Sequence, residues 1–539
     1  MTTAEATSPA AGAAPARASR IGAWYARQDK RELALWGGLI ALAILARVIG
    51  LGNRPFHHDE SQDAYFSYIF RTTGVYQYDP LLHGPLRFYL TALAYVLFGD
   101  GNFTARLAPI TMGLLMLPLA YGLRAQLGRI AAFAFAAFLA FGPTYLYFSR
   151  FAREDIYFAC LTLALIVVIF RFLARPRAYH PALIGLVLAL SFSTKETTFI
   201  TVFVMGSFFL VALAFPQTRR QVWGPVAGVG VTAWGWALAV FAAVFTLSFT
   251  TFLTHPHGLW DGVYTGLKYW LSQQNVGRGG EPWYFYLVVL FGEEWPALLL
   301  GLIGAVALWR KRSLIGMFLI WDFLLSLAVY SWASEKFAWI VMHPLLPLLA
   351  LAGVGIQTIW QTRNKLWRGI GIAAAAVALL YSGYSSWLIN VTHPANPREL
   401  LVSTQSSEQV KQVADQVLAL AKDKRGGQPL TVTVDSSEGA TFPYAWYFRH
   451  LAAGYVQLED QNAAAPTSDV IIMTDPSHAR LGSSLAAGYS EREFSFRVWW
   501  VRDYSKMTPA NWWRWMSKRE VWNPTGGMPE WLLVKKGVS

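Results

Sequence analysis

The stretch Pro85–Phe98, PLRFYLTALAYVLF, decides how the chain is folded. It is apolar enough to suggest a membrane span, but it has only 14 residues and carries Arg87 near its start. As a helix it would reach about 21 Å, short of a hydrocarbon core of about 30 Å. Such a segment suits an interfacial helix. Counting it as a span would also invert every later loop.

Outward from it, eleven apolar runs read as spans: 34–51, 106–123, 130–148, 156–174, 180–194, 197–215, 224–250, 286–309, 313–331, 337–359 and 369–389. With 54% hydrophobic and 14% charged residues, the chain reads as a polytopic α-helical membrane protein. Short loops on one side carry Arg124 and Arg129; Arg171, Arg175 and Arg177; Arg219 and Arg220; Arg310, Lys311 and Arg312; Arg363, Lys365 and Arg368, with no acid among them. The positive-inside rule places these loops and the N-terminus in the cytoplasm. The net charge of +13 is thereby a topology signal, which argues against a nucleic-acid partner. Cys160, the single cysteine, excludes an intrachain disulfide.

Three regions follow. Residues 1–32, whose first 20 are Ala-rich, read as a disordered cytoplasmic tail leading into a retained signal anchor. Residues 33–392 form the membrane region, with a first outer loop over 52–105. Residues 393–539 read as a small soluble extracytoplasmic α/β domain, since spans stop and positions 398–539 hold 16 basic and 15 acidic residues. Helical periodicity over 400–422 leads through KDKRGGQ into strand-like PLTVTVDSS, a helix near 438–452, and the strands SDVIIMTD and EFSFRVWWVRDY.

The outer side gathers the chemistry. HHDES places Asp59 and Glu60 just after His57 and His58; a partly desolvated carboxylate there could take a proton from an attacking hydroxyl, or the acids could cap the helix beginning near Ser61. SRFARED supplies Arg150, Arg153, Glu154 and Asp155, more charge than an interfacial belt needs. STKETT sets Lys195 and Glu196 between two spans, where an ammonium suits a phosphate; a pair that only ends two helices is the plainer alternative. No cofactor is fixed by the sequence, although His57, His58, Asp59, His83, His255 and His257 could bind a divalent cation. No pair among them has convincing helical ligand spacing. Asp322 inside a span is either functional or bonded to a neighbouring span. The tryptophan-rich segment 512–522 is a sugar-stacking surface, a membrane anchor or part of a core. NFT at 102–104 and NVT at 390–392 match the glycosylation pattern, which three residues often do by chance.

Taken together, HHDES, GVYQYDPLLHGPLRFYL, ARLAP, YFSRFARED, STKET and SEKFAWIVMHPLLPLL resemble the GT-C membrane glycosyltransferases. The resemblance is nearest to a prokaryotic group related to dolichyl-phosphate-mannose protein mannosyltransferases, some labelled flippase-associated. It covers roughly residues 33 to 360 and leaves the C-terminal domain unmatched. It implies a polyprenyl-phosphate-linked sugar donor, a protein, lipid or glycan acceptor, and transfer with inversion in the membrane of the cell envelope. Asp59 would be the base, Glu60 would orient it or the acceptor, and Asp155 would match the acid after the third span. Arg153 and Lys195 would hold the lipid phosphate, and Lys336 would lie near the donor headgroup. Glu154 could share the role of Asp155, and His58, His83 and Glu196 complete the candidate substrate contacts. Two other readings remain: a lipid-linked-sugar flippase or transporter component without transferase activity, against which stands the lack of an evident repeat, and a scaffold whose soluble domain recruits partners.

Overall fold

The computed structural model describes residues 29–422 and 429–538. The tail through residue 28 and most of KDKRGGQ lie outside the described residues. Each of the eleven apolar runs is helical through most of its length. Six helices are long and apolar enough to cross a membrane, and three bent pairs raise that number to nine among the described residues. The expected eleven is reached only by adding two more. One is Lys30–Val48, which carries Lys30, Arg31, Glu32 and Arg47; the other is His180–Phe192, whose 13 residues reach about 20 Å.

The bends have local causes. Pro143, Pro216 and Pro296 each sit in the first turn of the second helix of a bent pair, where a missing N–H costs nothing. The pairs turn by 56°, 116° and 97° respectively. The run 224–250, expected as one span, is also broken. Gly230 adopts a left-handed φ of +76°, so Val231–Phe249 forms the span while Pro216–Gly228 is a separate helix.

Pro85–Phe98 folds as the 13-residue helix Leu86–Phe98. Its Arg87 end is buried among acids, whereas Leu93, Val96, Leu97 and Phe98 are exposed. Gly84 binds this loop to the next: its N–H donates to Thr194 O at 3.2 Å and Leu86 N–H to Ser193 O at 2.8 Å. A Cβ at Gly84 would collide with the Ser193 carbonyl. Two later helices, Trp295–Arg310 and Met342–Trp360, meet backbone to backbone at Gly304 and Gly355, the close approach small residues allow.

The C-terminal part holds one six-stranded sheet: β1 (Gln405–Ser406), β2 (Val432–Asp435), β3 (Ala453–Val456), β4 (Val470–Thr474), β5 (Tyr489–Trp499) and β6 (Gly526–Lys535), in the order β1-β5-β6-β4-β2-β3. β2 runs parallel to β3 and β4, and the other pairings are antiparallel. A register irregularity interrupts β5 against β6 between Ser495 and Arg497. The helix expected from 400 begins only at Glu408, because 405–406 pair as the edge strand β1. β3 and β6 had no counterpart in the sequence reading.

This sheet rests on the loop 52–105. Phe56, Ala64, Tyr95 and Ala105 share a core with Val432, Trp446 and Phe496. Arg449 binds Asp100 at 2.8 Å and Trp446 donates to Asn102 at 2.9 Å, so the NFT asparagine is held in this interface. Within the tryptophan-rich segment, Trp515 is buried over Gly292 and donates to Arg398 O at 2.8 Å, while Trp513 is exposed. Arg519 bridges Glu293 at 3.1 Å and Glu399 at 2.8 Å.

Candidate active site

The helix His58–Thr73 opens with a reciprocal cap. The Asp59 N–H donates to His57 Nδ1 at 3.1 Å, and the His57 N–H donates to Glu60 Oε2 at 3.3 Å. Since Nδ1 accepts, the His57 proton lies on Nε2, which donates to Ser403 O at 3.0 Å. This cap separates the two acids. Glu60 turns inward to accept from Arg106 at 2.7 and 2.8 Å, Arg54 at 3.2 Å and the Ala152 N–H at 3.0 Å. Burial alone would raise its carboxyl, but Arg106 and Arg54 pull it down to about 2. Asp59 turns outward and keeps 30% of its side chain exposed.

Asp59 lines a cavity of about 490 Å³, a size suited to a small-molecule site. The wall includes His58, His83 and Arg87 from the loop 52–105, Arg153, Glu154, Arg278, Glu335 and Trp339 from later in the membrane region, and Ser403, Thr404 and Arg497 from the C-terminal part. Arg153 organises the acids. Its guanidinium pairs with Asp59, reaches Asp155 at 3.1 Å and Glu154 at 3.2 Å, and lies 3.8 Å over the Trp339 ring. A single arginine thus joins the first-loop acid to both acids of SRFARED.

Behind it, Lys195 contacts Asp155 at 2.7 Å and Glu154 at 3.5 Å. His343, which the sequence reading missed, reaches Asp155 at 3.3 Å. Burial would lower the Lys195 ammonium, but Asp155 and Glu154 hold it above its ordinary value. His83 bridges Glu196 at 2.8 Å and Glu154 at 3.3 Å, stacked on Trp270, and Tyr78 donates to Glu196 at 2.8 Å. Arg87 pairs with Glu154 at 3.1 Å and Asp63 at 3.6 Å. Burial lifts Asp63 to about 7 despite Arg87.

The placement differs from expectation for five residues. Glu60, Asp155, Lys195 and Glu196 are buried and do not line the cavity, and the Lys336 ammonium folds back onto the Ala333 carbonyl. The cations on the wall without a carboxylate within 4.0 Å, among the described residues, are Arg278 and Arg497. Arg278 donates to the Tyr269 hydroxyl at 3.2 Å. Arg497 donates to Gly439 O at 2.7 Å and to His58 Nδ1 at 3.0 Å. That bond leaves the His58 proton on Nε2, and burial together with Arg497 lowers the imidazole to about 3. A lone arginine in the Gly-rich NVGRGGEP was a visible signal for Arg278; Arg497 lay in an ordinary strand pattern.

Of the histidines weighed for a cation, His57, His58 and His83 line the cavity, whereas His255 and His257 do not. His257 pairs with Asp261 at 2.9 Å and His255 with the Thr254 hydroxyl at 2.9 Å. Among the described residues no group of three or more His, Cys, Asp or Glu side chains is arranged to hold a metal ion. Asp322 is buried within its helix, apart from this cavity.

Residues 82–253 match the family model described as dolichyl-phosphate-mannose-protein mannosyltransferase. ArnT from Cupriavidus metallidurans bound to undecaprenyl phosphate superposes over 95% of this chain and 99% of its own, with a TM-score of 0.58 at 15% identity. The fold is GT-C. The Archaeoglobus fulgidus oligosaccharyltransferase in its apo form shares it over 87% of this chain and 70% of its own, with a TM-score of 0.53 at 13% identity. No curated protein sequence matches the chain. In this GT-C fold the helices form a multi-pass membrane region, and the loop 52–105, with Asp59, packs against the C-terminal sheet.

Proposed function

We propose that the chain is an integral-membrane glycosyltransferase, moving a sugar from a polyprenyl-phosphate-linked donor to a protein, lipid or glycan acceptor on the extracytoplasmic side. The observation that carries this reading is the division of labour within HHDES: Glu60 is locked as a counter-ion while Asp59 stands open on the cavity, held by Arg153. The Asp59 carboxylate takes the proton of the acceptor hydroxyl. The acceptor oxygen then bonds to the anomeric carbon as the carbon–oxygen bond to phosphate breaks. The phosphate departs with the electron pair, and a single in-line displacement inverts the anomeric centre.

Charge develops on the leaving phosphate, where fixed cations act most strongly. Arg278 and Arg497 suit that position, because Arg153 and Lys195 are already committed to carboxylates. The membrane region 33–392 supplies the base, and the 393–539 domain closes the wall above it. The one-sided loop arginines support an extracytoplasmic placement. The relatives sharing the fold include ArnT bound to undecaprenyl phosphate and an archaeal oligosaccharyltransferase in complex with dolichol-phosphate, which supports a lipid-phosphate donor. Turnover of a polyprenyl-phosphate sugar by the purified protein tests the reading. Donor that binds yet transfers nothing to a mixed protein, lipid and glycan acceptor pool would refute it.

A further inference from the structure

A second cleft, of about 460 Å³, lies on the other side of the loop that carries Asp59. Arg54 and Arg150 line it, with Asn390 at the end of the last membrane helix and Lys411 on the helix Glu408–Lys422. Its lip is apolar: Ile49 and Val391 are 68% and 50% exposed. They follow the first and last membrane helices, so the lip lies at the bilayer boundary.

The charge behind this cleft is unbalanced. Arg47, Arg54, Arg106 and Arg150 are all buried, and Arg150 lies close enough to each of the other three to be repelled by it. Glu60 is the carboxylate shared by Arg54 and Arg106. Neither Arg47 nor Arg150 has a carboxylate within 4.0 Å among the described residues. Both instead donate to backbone carbonyls, Arg47 to Leu139 at 2.9 Å and Ala140 at 3.0 Å, Arg150 to Ile49 at 2.7 Å and Asn390 at 3.2 Å. Four guanidinium groups and one carboxylate leave a formal +3. Buried charge without a counter-ion is costly, so an anion in the cleft would relieve it. Lys411 and Asp415 on the rim neutralise each other at 2.6 Å, and Glu408 is exposed.

We propose that this cleft binds the phosphate headgroup of a membrane amphiphile, at a site separate from the Asp59 cavity. Arg150 and Arg54 face the phosphate, and the hydrocarbon chain leaves over Ile49 and Val391 into the bilayer. A diffusible phosphate would use the cations alone and have no need of the lip. The site does not depend on the sugar-transfer reading.

The test uses the full chain in neutral detergent with three probes: dioctanoyl phosphatidic acid, dioctanoylglycerol and inorganic phosphate. Phosphatidic acid raises the Tm and dioctanoylglycerol does not. Arg150→Gln and Ile49→Glu each weaken the phosphatidic acid Kd at least about tenfold, removing respectively a charge-assisted contact and the apolar path. Inorganic phosphate that stabilises as strongly, without response to Ile49→Glu, would overturn the amphiphile. No shift with either phosphate probe, or unchanged binding by Arg150→Gln, would overturn the site. Should Arg150→Gln fail to fold, Ile49→Glu, at an exposed position, decides alone.

Discussion

Arg497 of strand β5 donates to Nδ1 of His58 at 3.0 Å, joining the C-terminal sheet to the residue immediately before Asp59. The C-terminal sheet therefore completes the wall of a cavity whose carboxylate belongs to the loop 52–105. Removing either side of this contact should alter chemistry as well as stability.

Asp59→Asn should cut the transfer rate by at least about 100-fold, the range expected for a general base, while leaving donor affinity within a few-fold. Glu60→Gln should behave differently. It strips the carboxylate from Arg54 and Arg106 and should lower folded yield and Tm, as loss of one member of a buried ion pair costs roughly 3–5 kcal/mol. Thermal scans run alongside single-turnover assays separate the two. Full activity in Asp59→Asn would remove the base.

Arg278→Gln and Arg497→Gln should each lower kcat/KM for a polyprenyl-phosphate sugar by about 10- to 100-fold, the loss of one charge-assisted contact in the transition state. Arg497→Lys should recover only part, because a lysine cannot serve His58 and Gly439 through one planar fork. Wild-type kinetics in both glutamine variants would exclude these two cations from leaving-group stabilisation.

Lys195→Met should destabilise the membrane region, because Asp155 would lose its nearest cation at 2.7 Å. Lys195→Met with Asp155→Asn should be less damaging than the sum of the single changes. A double-mutant cycle on Tm or folded yield measures the coupling. Additive effects would mean that the ammonium does not serve Asp155.

Acidification should loosen the contact between the first loop and the C-terminal part. Burial and Arg153 lower His57 to about 3, and burial and Arg497 lower His58 to about 3. Below their ordinary value near 6.5 the unfolded chain takes up these two protons first, so the stability the two histidines contribute falls with decreasing pH down to about 3, opposed in part by Asp63, whose raised carboxyl is protonated first in the folded chain. The slope is at most about 1.4 kcal/mol per pH unit for each histidine. Unfolding scans between pH 7.5 and 5 should show this, and His57→Gln should flatten the dependence; an unchanged slope would place the acid sensitivity elsewhere.

Much of this architecture was legible because apolar runs of span length carry their meaning locally. That Pro85–Phe98 would fold as a helix too short to span needed only the length of its apolar run. The bends were not read from the sequence: Gly230 and Pro143 break helices inside apolar runs, and Pro296 follows Glu293 and Glu294 within the run 286–309. Strand β6 escaped because GGMPEWLLVK begins with residues that punctuate strands. HHDES drew attention to the right place, yet residue identity could not say which acid would turn inward; that depends on Arg106 and the Ala152 N–H. Likewise Arg153 of SRFARED and Lys195 of STKET were visible, but their consumption by Glu154 and Asp155 is a property of packing.

The irregularity between Ser495 and Arg497 acts as a phase adjuster. Along a pleated strand each added or omitted residue exchanges the two faces, so this extra step determines whether position 497 points at His58 or away from it. A one-residue deletion there would leave most of the β5–β6 ladder able to zip while swinging the guanidinium off the wall. Relatives that keep the sheet but lack this step would be expected to present a different side chain, and so a different selectivity, above the same carboxylate.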